Sequence, residues 1–319
     1  MHLLGLHHLT AITADASGNH RFYTRTLGLR LVKKTVNQDD VSAYHLFYAD
    51  GAATPGTDIT FFDWPLPAEQ RGTRSIARTG LRVGSAQSLA WWQQRLADAG
   101  IDAEPVTDDD ARPTLHFEDP EGQRLALVVD DTPGPEHQPW SGSPVPAEHQ
   151  VRGLGPVTLS VPELGPTETV LTDLLAMRRV REYQAGAGGA SVYVYQMTPA
   201  SSPESAAGEL HVAVEPGLPA ARQGAGAVHH VAFRTPDIEQ YQAWSRRLAS
   251  SRLPFSGEVD RYYFRSLYVR EPNGILFEIA TDGPGFGVDE PMAQLGERLS
   301  LPPFLEPRRG QIEAGLKPL

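Results

Sequence analysis

The chain has 319 residues, a formal net charge of -11 at pH 7 and no cysteine. Without cysteine there are no disulfides, thiolate zinc sites, iron–sulfur clusters or cysteine nucleophiles, so a metal must be held by His, Asp, Glu or backbone oxygen. The acidic balance argues against nucleic acid or an anionic membrane as a partner, because Lys and Arg carry such binding.

The N-terminus has no basic segment followed by a long apolar one, so we do not expect a signal peptide. No stretch reaches the roughly 18 apolar residues of a membrane helix. We therefore expect a cytoplasmic protein without a membrane segment. A homo-oligomer is compatible with the sequence.

One pattern recurs along the chain: a short apolar strand, a helix that ends near glycine, and two or three further strands. The first copy begins with a strand at 8–13 and a helix at 20–27, followed by Gly28, a residue type that often ends helices. Later copies begin near residues 79, 155 and 228, with helices expected at 88–99, 168–176 and 237–249.

This repetition predicts an α+β fold of four βαβββ units, paired into two domains with mixed, partly open, barrel-like sheets. The expected N-terminal domain is 1–131, the linker 132–150, the C-terminal domain 151–282 and the tail 283–319. The four units are expected at 4–64, 78–131, 152–217 and 226–282. Within the tail we expect short helices at 291–299 and 309–315, packed over the last unit.

Two pairs of adjacent histidines begin strands that open a repeat: His7 and His8, and His229 and His230. One such pair is weak evidence for a metal site, but the same placement in two repeats is a stronger coincidence. Successive side chains on a strand face opposite sides, so one histidine of each pair should face the concave surface of the sheet. Strand parity alone does not say which one.

The matching acid is Glu278, the one charge in the apolar segment 275–280. A carboxylate is costly to bury unless it is paired or bound to a metal. Two imidazoles and one carboxylate form a facial triad, which leaves about three positions open on an octahedral iron, enough for a bidentate substrate and dioxygen.

Three segments resemble the glyoxalase/bleomycin-resistance/dioxygenase superfamily, the vicinal-oxygen-chelate proteins: 7–10 (HHLT), 228–233 (VHHVAF) and 268–278 (YVREPNGILFE). Within it the likeness is to ring-cleaving dioxygenases of the hydroquinone type, and it covers nearly the whole chain. The resemblance implies that the second histidine of each pair, His8 and His230, binds the metal together with Glu278. It implies Fe(II), with Mn(II) as the alternative because both accept this ligand set.

The same resemblance implies further site residues that contact the substrate or support the ligands: His7, Thr10, His229, Arg261 and Tyr268. It implies a reaction of O2 with a small aromatic substrate of the hydroquinone or catechol type. His7 or His229 would then move a proton, and Tyr268 and Arg261 would orient a substrate oxygen.

Two other functions remain open from the sequence. A glyoxalase-like isomerase or lyase shares the fold and commonly uses a second Glu as a fourth ligand. In unit 4, Glu278 lies four residues beyond Gly274, the glycine of the turn before the last strand. The same count in the other three units gives residues that are not acidic: Thr60, Ala126 and Val212. This favours three protein ligands. A metal-free, resistance-type binding protein is the other alternative, against which the His, His and Glu set argues.

Overall fold

The computed structural model describes residues 1–132, 137–186, 188–197 and 205–319. Within these ranges the chain forms four consecutive βαβββ units. Unit 1 contains β1 (Leu6–Thr13), α1 (Ala16–Arg21), β2 (Arg30–Val36), β3 (Tyr44–Ala49) and β4 (Asp58–Asp63). Unit 2 contains β5 (Ser75–Val83), α2 (Ala86–Asp98), β6 (Thr107–Asp109), β7 (Arg112–Glu118) and β8 (Arg124–Val129). Unit 3 contains β9 (Leu154–Val161), α3 (Leu164–Thr169), β10 (Arg178–Gln184), β11 (Ser191–Gln196) and β12 (Glu209–Val214). Unit 4 contains β13 (Val228–Thr235), α4 (Ile238–Ala249), β14 (Val259–Asp260), β15 (Arg265–Arg270) and β16 (Leu276–Thr281).

The helices of units 2 and 4 share one sequence logic. In α4, Tyr241, Trp244 and Leu248 lie three and four residues apart, so they fall on one face and are completely buried. Helix α2 buries Leu89, Trp92 and Leu96 at the same spacing. Ser85 and Asp237 cap the two helices by accepting a backbone N–H three residues on. In units 1 and 3 the helix is shorter and continues as a π-helical turn, Phe22–Thr26 or Val170–Leu174.

Strand pairing joins units that are distant along the chain. β1 runs antiparallel to β13, which joins unit 1 to unit 4, and β5 runs antiparallel to β9, which joins unit 2 to unit 3. In each unit the first and last strands are parallel neighbours. The described strands thus form two mixed sheets of eight strands each, which confirms the α+β class and the paired arrangement.

The partners within each pair correct the sequence-based expectation. Consecutive units were expected to pair within 1–131 and within 151–282, whereas the first unit pairs with the fourth and the second with the third. The local pattern of a strand sets its two faces but does not specify which strand will lie at its free edge. Of the expected linker 132–150, residues 133–136 lie outside the described residues, as do 187 and 198–204 of unit 3.

The tail packs mainly against unit 1, not only over unit 4 as expected. The Ser300 backbone N–H donates to the carbonyl of Lys34 on β2 at 2.9 Å, and Leu301, Leu305 and Ile312 pack on Val36. The expected helix at 309–315 is present as α5 (Arg309–Gly315), but 291–299 contains only a 3-10 turn at Met292–Gln294. No helix among the described residues is long and apolar enough to span a membrane.

Candidate metal centre

Three side chains converge at the middle of the sheet formed by units 1 and 4. His8 on β1, His230 on β13 and Glu278 on β16 place one ligand atom each within 4.8 Å of one another. The Nε2 atoms of His8 and His230 lie 3.2 and 2.9 Å from the same Glu278 oxygen, Oε2. All three side chains are buried. The antiparallel pairing of β1 with β13 is what brings together two histidines that are 222 residues apart (230 − 8).

The polar atoms of this cluster lack partners that would justify their burial. His230 Nε2 and both Glu278 carboxylate oxygens are buried, and within the described residues none of them makes a hydrogen bond of good geometry, although Nε2 lies 2.9 Å from Oε2. Burial by itself raises the pKa of Glu278, but His8 and His230 outweigh it and hold that pKa well below its usual range. A buried carboxylate beside two imidazole nitrogens, with these atoms left over, fits a divalent metal.

In each histidine pair, the ring of the first histidine contacts the ring of the second through their Nδ1 atoms. His7 Nδ1 lies 2.9 Å from His8 Nδ1, and His229 Nδ1 lies 2.8 Å from His230 Nδ1. If a metal takes the Nε2 atoms of His8 and His230, each Nδ1 would carry the proton and donate it to the neighbouring ring. Burial lowers the pKa of both His7 and His229 to about 3, with the adjacent histidine adding to the shift. Both rings are therefore neutral and able to accept that proton.

Thr10 belongs to a polar chain beside the triad. The Thr60 hydroxyl donates to Thr10 Oγ1 at 2.9 Å, and His45 Nε2 lies 3.0 Å from Thr60 Oγ1. Strand register makes Thr60 the counterpart of Glu278, because Thr60 pairs with Thr10 as Glu278 pairs with Ala232. The pseudo-twofold axis of the sheet therefore places a hydroxyl where a second acid would stand, in agreement with the count from the turn glycine.

Arg261 and Tyr268 lie together at the edge of the cluster. Tyr268 pairs with Glu278 across β15 and β16, and Arg261 Nε donates to the Tyr268 hydroxyl oxygen at 3.2 Å. Arg261 also pairs with Asp39 at 2.9 Å, and Gln38 donates to the Arg261 carbonyl at 2.7 Å. Burial and the nearby Glu278 raise the pKa of Tyr268, so its hydroxyl keeps its proton. Since its oxygen accepts from Arg261, that proton is free for another acceptor.

A cavity of about 450 Å³ opens onto the cluster. The rings of Phe47, Phe62 and Phe264 supply apolar walls, and the polar groups at the wall include His45 and Tyr268. Burial and the charge of His8 lower the pKa of His45 well below its usual range, so this imidazole is neutral. An apolar pocket with a few convergent polar groups is typical of a small-molecule site.

The structure brings all eight of the residues named from the sequence into this one region, and it adds several that sequence reasoning missed. His45, Thr60, Gln38 and Asp39 were not predicted. Parity within β3 places His45 and Phe47 on one face, and that signal was available from the segment 44–50. The loop carrying Gln38 and Asp39 gave no signal, because its approach to Arg261 depends on the pairing of units 1 and 4.

Comparison with known proteins supplies the family. The model of the Glyoxalase/Bleomycin resistance protein/Dioxygenase superfamily matches residues 5–127 and 153–279. The chain belongs to this superfamily. Among superfamily relatives, it is 46% identical to "Putative ring-cleaving dioxygenase MhqA" of Bacillus subtilis, over 100% of both chains. It is 30% identical to the chlorohydroquinone/hydroquinone 1,2-dioxygenase of Sphingobium indicum, over 95% of this chain and 92% of that one.

Solved structures agree with this placement. The crystal structure of a "putative dioxygenase" from Bacillus subtilis superposes with a TM-score of 0.89 at 34% identity, over 100% of this chain and 98% of that one. Glyoxalase I of Zea mays shares the fold alone, with a TM-score of 0.63 at 14% identity over 87% of this chain and 92% of that one. Within the superfamily the chain is an enzyme of the dioxygenase type, as the resemblance implied.

Proposed function

We propose that this chain is a non-haem Fe(II)-dependent dioxygenase that cleaves the ring of a hydroquinone- or catechol-type aromatic compound. The observation that carries the proposal is the buried cluster of His8, His230 and Glu278, in which His230 Nε2 and the carboxylate oxygens make no hydrogen bond of good geometry. Mn(II) is the alternative metal, since it accepts the same donors. The full-length likeness to ring-cleaving dioxygenases supports the reaction class.

The proposed division of labour follows from the contacts. A divalent cation held by His8, His230 and Glu278 would supply Lewis acidity toward a substrate hydroxyl and open positions for the reactants. His7 and His229 accept the Nδ1 proton of the ligand histidines and keep their Nε2 atoms aimed at the centre. Because both are neutral, we assign them this orienting role instead of the proton transfer expected from the sequence.

The cavity walls favour a flat aromatic substrate. Phe47, Phe62 and Phe264 exclude water and contact an aromatic ring without specific hydrogen bonds. Tyr268 is the donor for a negatively charged substrate oxygen, and Arg261 positions it by donating to its oxygen. Thr60 at the position of a second acid argues against a glyoxalase-type isomerase that needs a fourth protein ligand.

Oxygen uptake tests this proposal. The metal-free chain is loaded anaerobically with Fe(II) or Mn(II) and then mixed with O2 and a panel of hydroquinones, alkylated and chlorinated hydroquinones, and catechols. We expect uptake with at least one diol and a ring-opened product that carries both atoms of labelled O2. If metal binds and no aromatic diol consumes O2, the proposal is wrong.

Replacing Tyr268 by Phe removes the hydroxyl while keeping the ring. We expect kcat to fall roughly 10- to 100-fold, because a hydrogen bond to a charged group is worth about 1.5–3 kcal/mol. Metal content should stay unchanged, since Tyr268 is not one of the three ligands. Steady-state kinetics with the best diol and metal analysis measure the two effects.

Tyr262→Phe is the matched control, because this tyrosine lies beside Arg261 in the chain but does not line the cavity. Its kcat should equal that of the unmodified enzyme. Loss of metal from Tyr268→Phe, or an equal loss of kcat in both variants, would contradict the role given to the Tyr268 hydroxyl.

A further inference from the structure

The sheet formed by units 2 and 3 has a concave cavity of its own, of about 380 Å³, against about 450 Å³ at the metal cluster. Strand register relates the two cavities. Arg78 on β5 pairs with Thr158 on β9, as His8 on β1 pairs with Ala232 on β13. The second cavity therefore occupies the position in its sheet that the metal cluster occupies in the other.

None of the three metal-binding side chains is repeated there. Arg78 is the counterpart of His8, and Pro156, two residues before Thr158, is the counterpart of His230. His211 is the counterpart of Glu278, because it pairs with Thr158 as Glu278 pairs with Ala232. The count of four residues from the turn glycine, Gly208, had instead given Val212 as the equivalent of Glu278, which is one residue beyond His211. Arg and Pro cannot replace imidazole as metal ligands, so this cavity has a different chemistry.

The acids around the second cavity already have partners. Arg112 holds Glu209 through two hydrogen bonds of 2.5 and 2.9 Å, and Arg181 reaches the same carboxylate at 2.9 Å. Arg181 also binds Asp110 through both carboxylate oxygens. His116 Nε2 lies 2.6 Å from Asp109.

Arg78 is a cation at this wall that no carboxylate contacts directly. Among the described residues it has no carboxylate within ion-pair distance, and its hydrogen bond is to the Leu125 carbonyl at 3.4 Å. Its side chain is partly buried, and burial together with Arg124 lowers its pKa against the weaker opposing effect of Glu104, Asp109 and Glu118. A guanidinium presents five donors and suits a planar carboxylate. Most of the donors of Arg78 are therefore available.

We propose that this second cavity binds a small organic carboxylate with an apolar body, held through its carboxylate by Arg78. Thr158 lines the same cavity and its hydroxyl supplies a further donor, whereas the Thr114 hydroxyl donates to the Arg112 carbonyl at 3.0 Å. Gly80, Ala126, Val128 and Pro156 give an apolar wall for the body of the ligand. The similar size of the two cavities makes a single-ring acid such as benzoate a suitable probe. This site is separate from the proposed dioxygenase centre and does not depend on its assignment.

A cation is the competing occupant. Ligand atoms of Asp110, Glu209 and His211 lie within 4.8 Å of one another. A metal there would have to displace arginine from both carboxylates, which are bound in the short, charge-assisted geometry that makes such pairs strong. We therefore favour the anion.

The test is calorimetric titration of the metal-loaded, full-length enzyme with benzoate and with uncharged benzamide. We expect benzoate to bind at least about tenfold more tightly than benzamide, and Arg78→Met to remove that advantage. Arg78→Lys should retain part of it. Arg124→Met is the matched control: it removes a neighbouring arginine that does not line the cavity, and should leave benzoate binding unchanged.

A crystal of the unmodified enzyme with 4-bromobenzoate locates the anion independently of any variant. Bromine beside the apolar wall with the carboxylate at Arg78 supports the proposal. Bromine only at the Glu278 cluster, or equal affinity of Arg78→Met for benzoate, overturns it. So does binding of Mn²⁺ that Glu209→Gln abolishes in an enzyme that takes no benzoate at this site.

Discussion

Glu278→Gln should abolish tight metal binding and lower turnover by more than about 100-fold. Glu278 is the one anionic side chain of the cluster, and an amide is a neutral, weaker donor to a divalent cation. Changes to residues that only support a ligand typically cost 10- to 100-fold in metal affinity or activity, so loss of a ligand should cost more than about that range. Metal analysis after gel filtration and oxygen uptake with the best diol measure the two effects.

Thermal unfolding separates loss of metal from loss of fold. Fe(II) added anaerobically should raise the unfolding midpoint of the unmodified chain but not that of Glu278→Gln, because only a binding-competent folded state is stabilised. Glu258→Gln is the matched control, since Glu258 is exposed and outside the cluster. Should Glu278→Gln keep stoichiometric metal and full turnover, the metal centre proposed here would have to be abandoned.

Lys33→Met should destabilise the enzyme by about 3–5 kcal/mol, because it breaks a buried ion pair on one side only. The Lys33 ammonium on β2 is fully buried, binds Glu290 directly and lies 2.8 Å from Asp289. It also donates to the Phe286 carbonyl at 3.2 Å. Without it, the buried Glu290 carboxylate of the tail loses its counter-charge. Urea unfolding followed by tryptophan fluorescence gives the apparent loss of free energy.

Two further variants sharpen this prediction. Lys34→Met changes the next residue, whose ammonium donates to the carbonyl of Glu297 at 3.3 Å in an exposed setting. This variant should lower the free energy of unfolding by about 0.5 kcal/mol or less, as is usual for a surface substitution. Combining Lys33→Met with Glu290→Gln should recover part of the loss, since one uncompensated charge disappears. Equal effects of Lys33→Met and Lys34→Met would mean that the pair to Glu290 does not anchor the tail.

The ion pair between Lys33 and Glu290 should also affect substrate binding, because the tail contacts the wall of the cavity. Tyr263, which lines the cavity, donates to Asp289 at 2.8 Å, and its ring packs against Phe286 at a tilt, with 5.5 Å between the ring centroids. Phe286 in turn contacts Phe47, another cavity wall. Loosening the tail should therefore weaken diol binding as well, seen as a raised KM in Lys33→Met at temperatures where the chain is folded.

The sequence by itself determined the units and the chemistry they carry. Helices α2 and α4 follow from apolar residues three and four apart with a capping Ser or Asp, which is local information. The alternation of side chains along a strand placed His8 and Thr10 on one face. Glu278 stood out because it is the one charged residue in an apolar segment, where a buried carboxylate must be paired or bound to a metal. The choice of His8 and His230 over their neighbours came from the resemblance to a family.

Tertiary structure alone decided which units pair and what surrounds the metal cluster. The antiparallel pair of β1 and β13 joins strands more than two hundred residues apart along the chain. The sequence of a strand sets its two faces but does not specify which strand pairs with its edge. That pairing brings Asp39 of unit 1 beside Arg261 of unit 4. Thr60 and His45 instead reach Thr10 through the pairing of β1, β4 and β3 within unit 1. The pairing of units 1 and 4 also leaves units 2 and 3 to pair with each other, so the second cavity holds Arg78 at the position corresponding to His8. The local sequence thus supplied the side chains, and long-range strand pairing decided which of them meet.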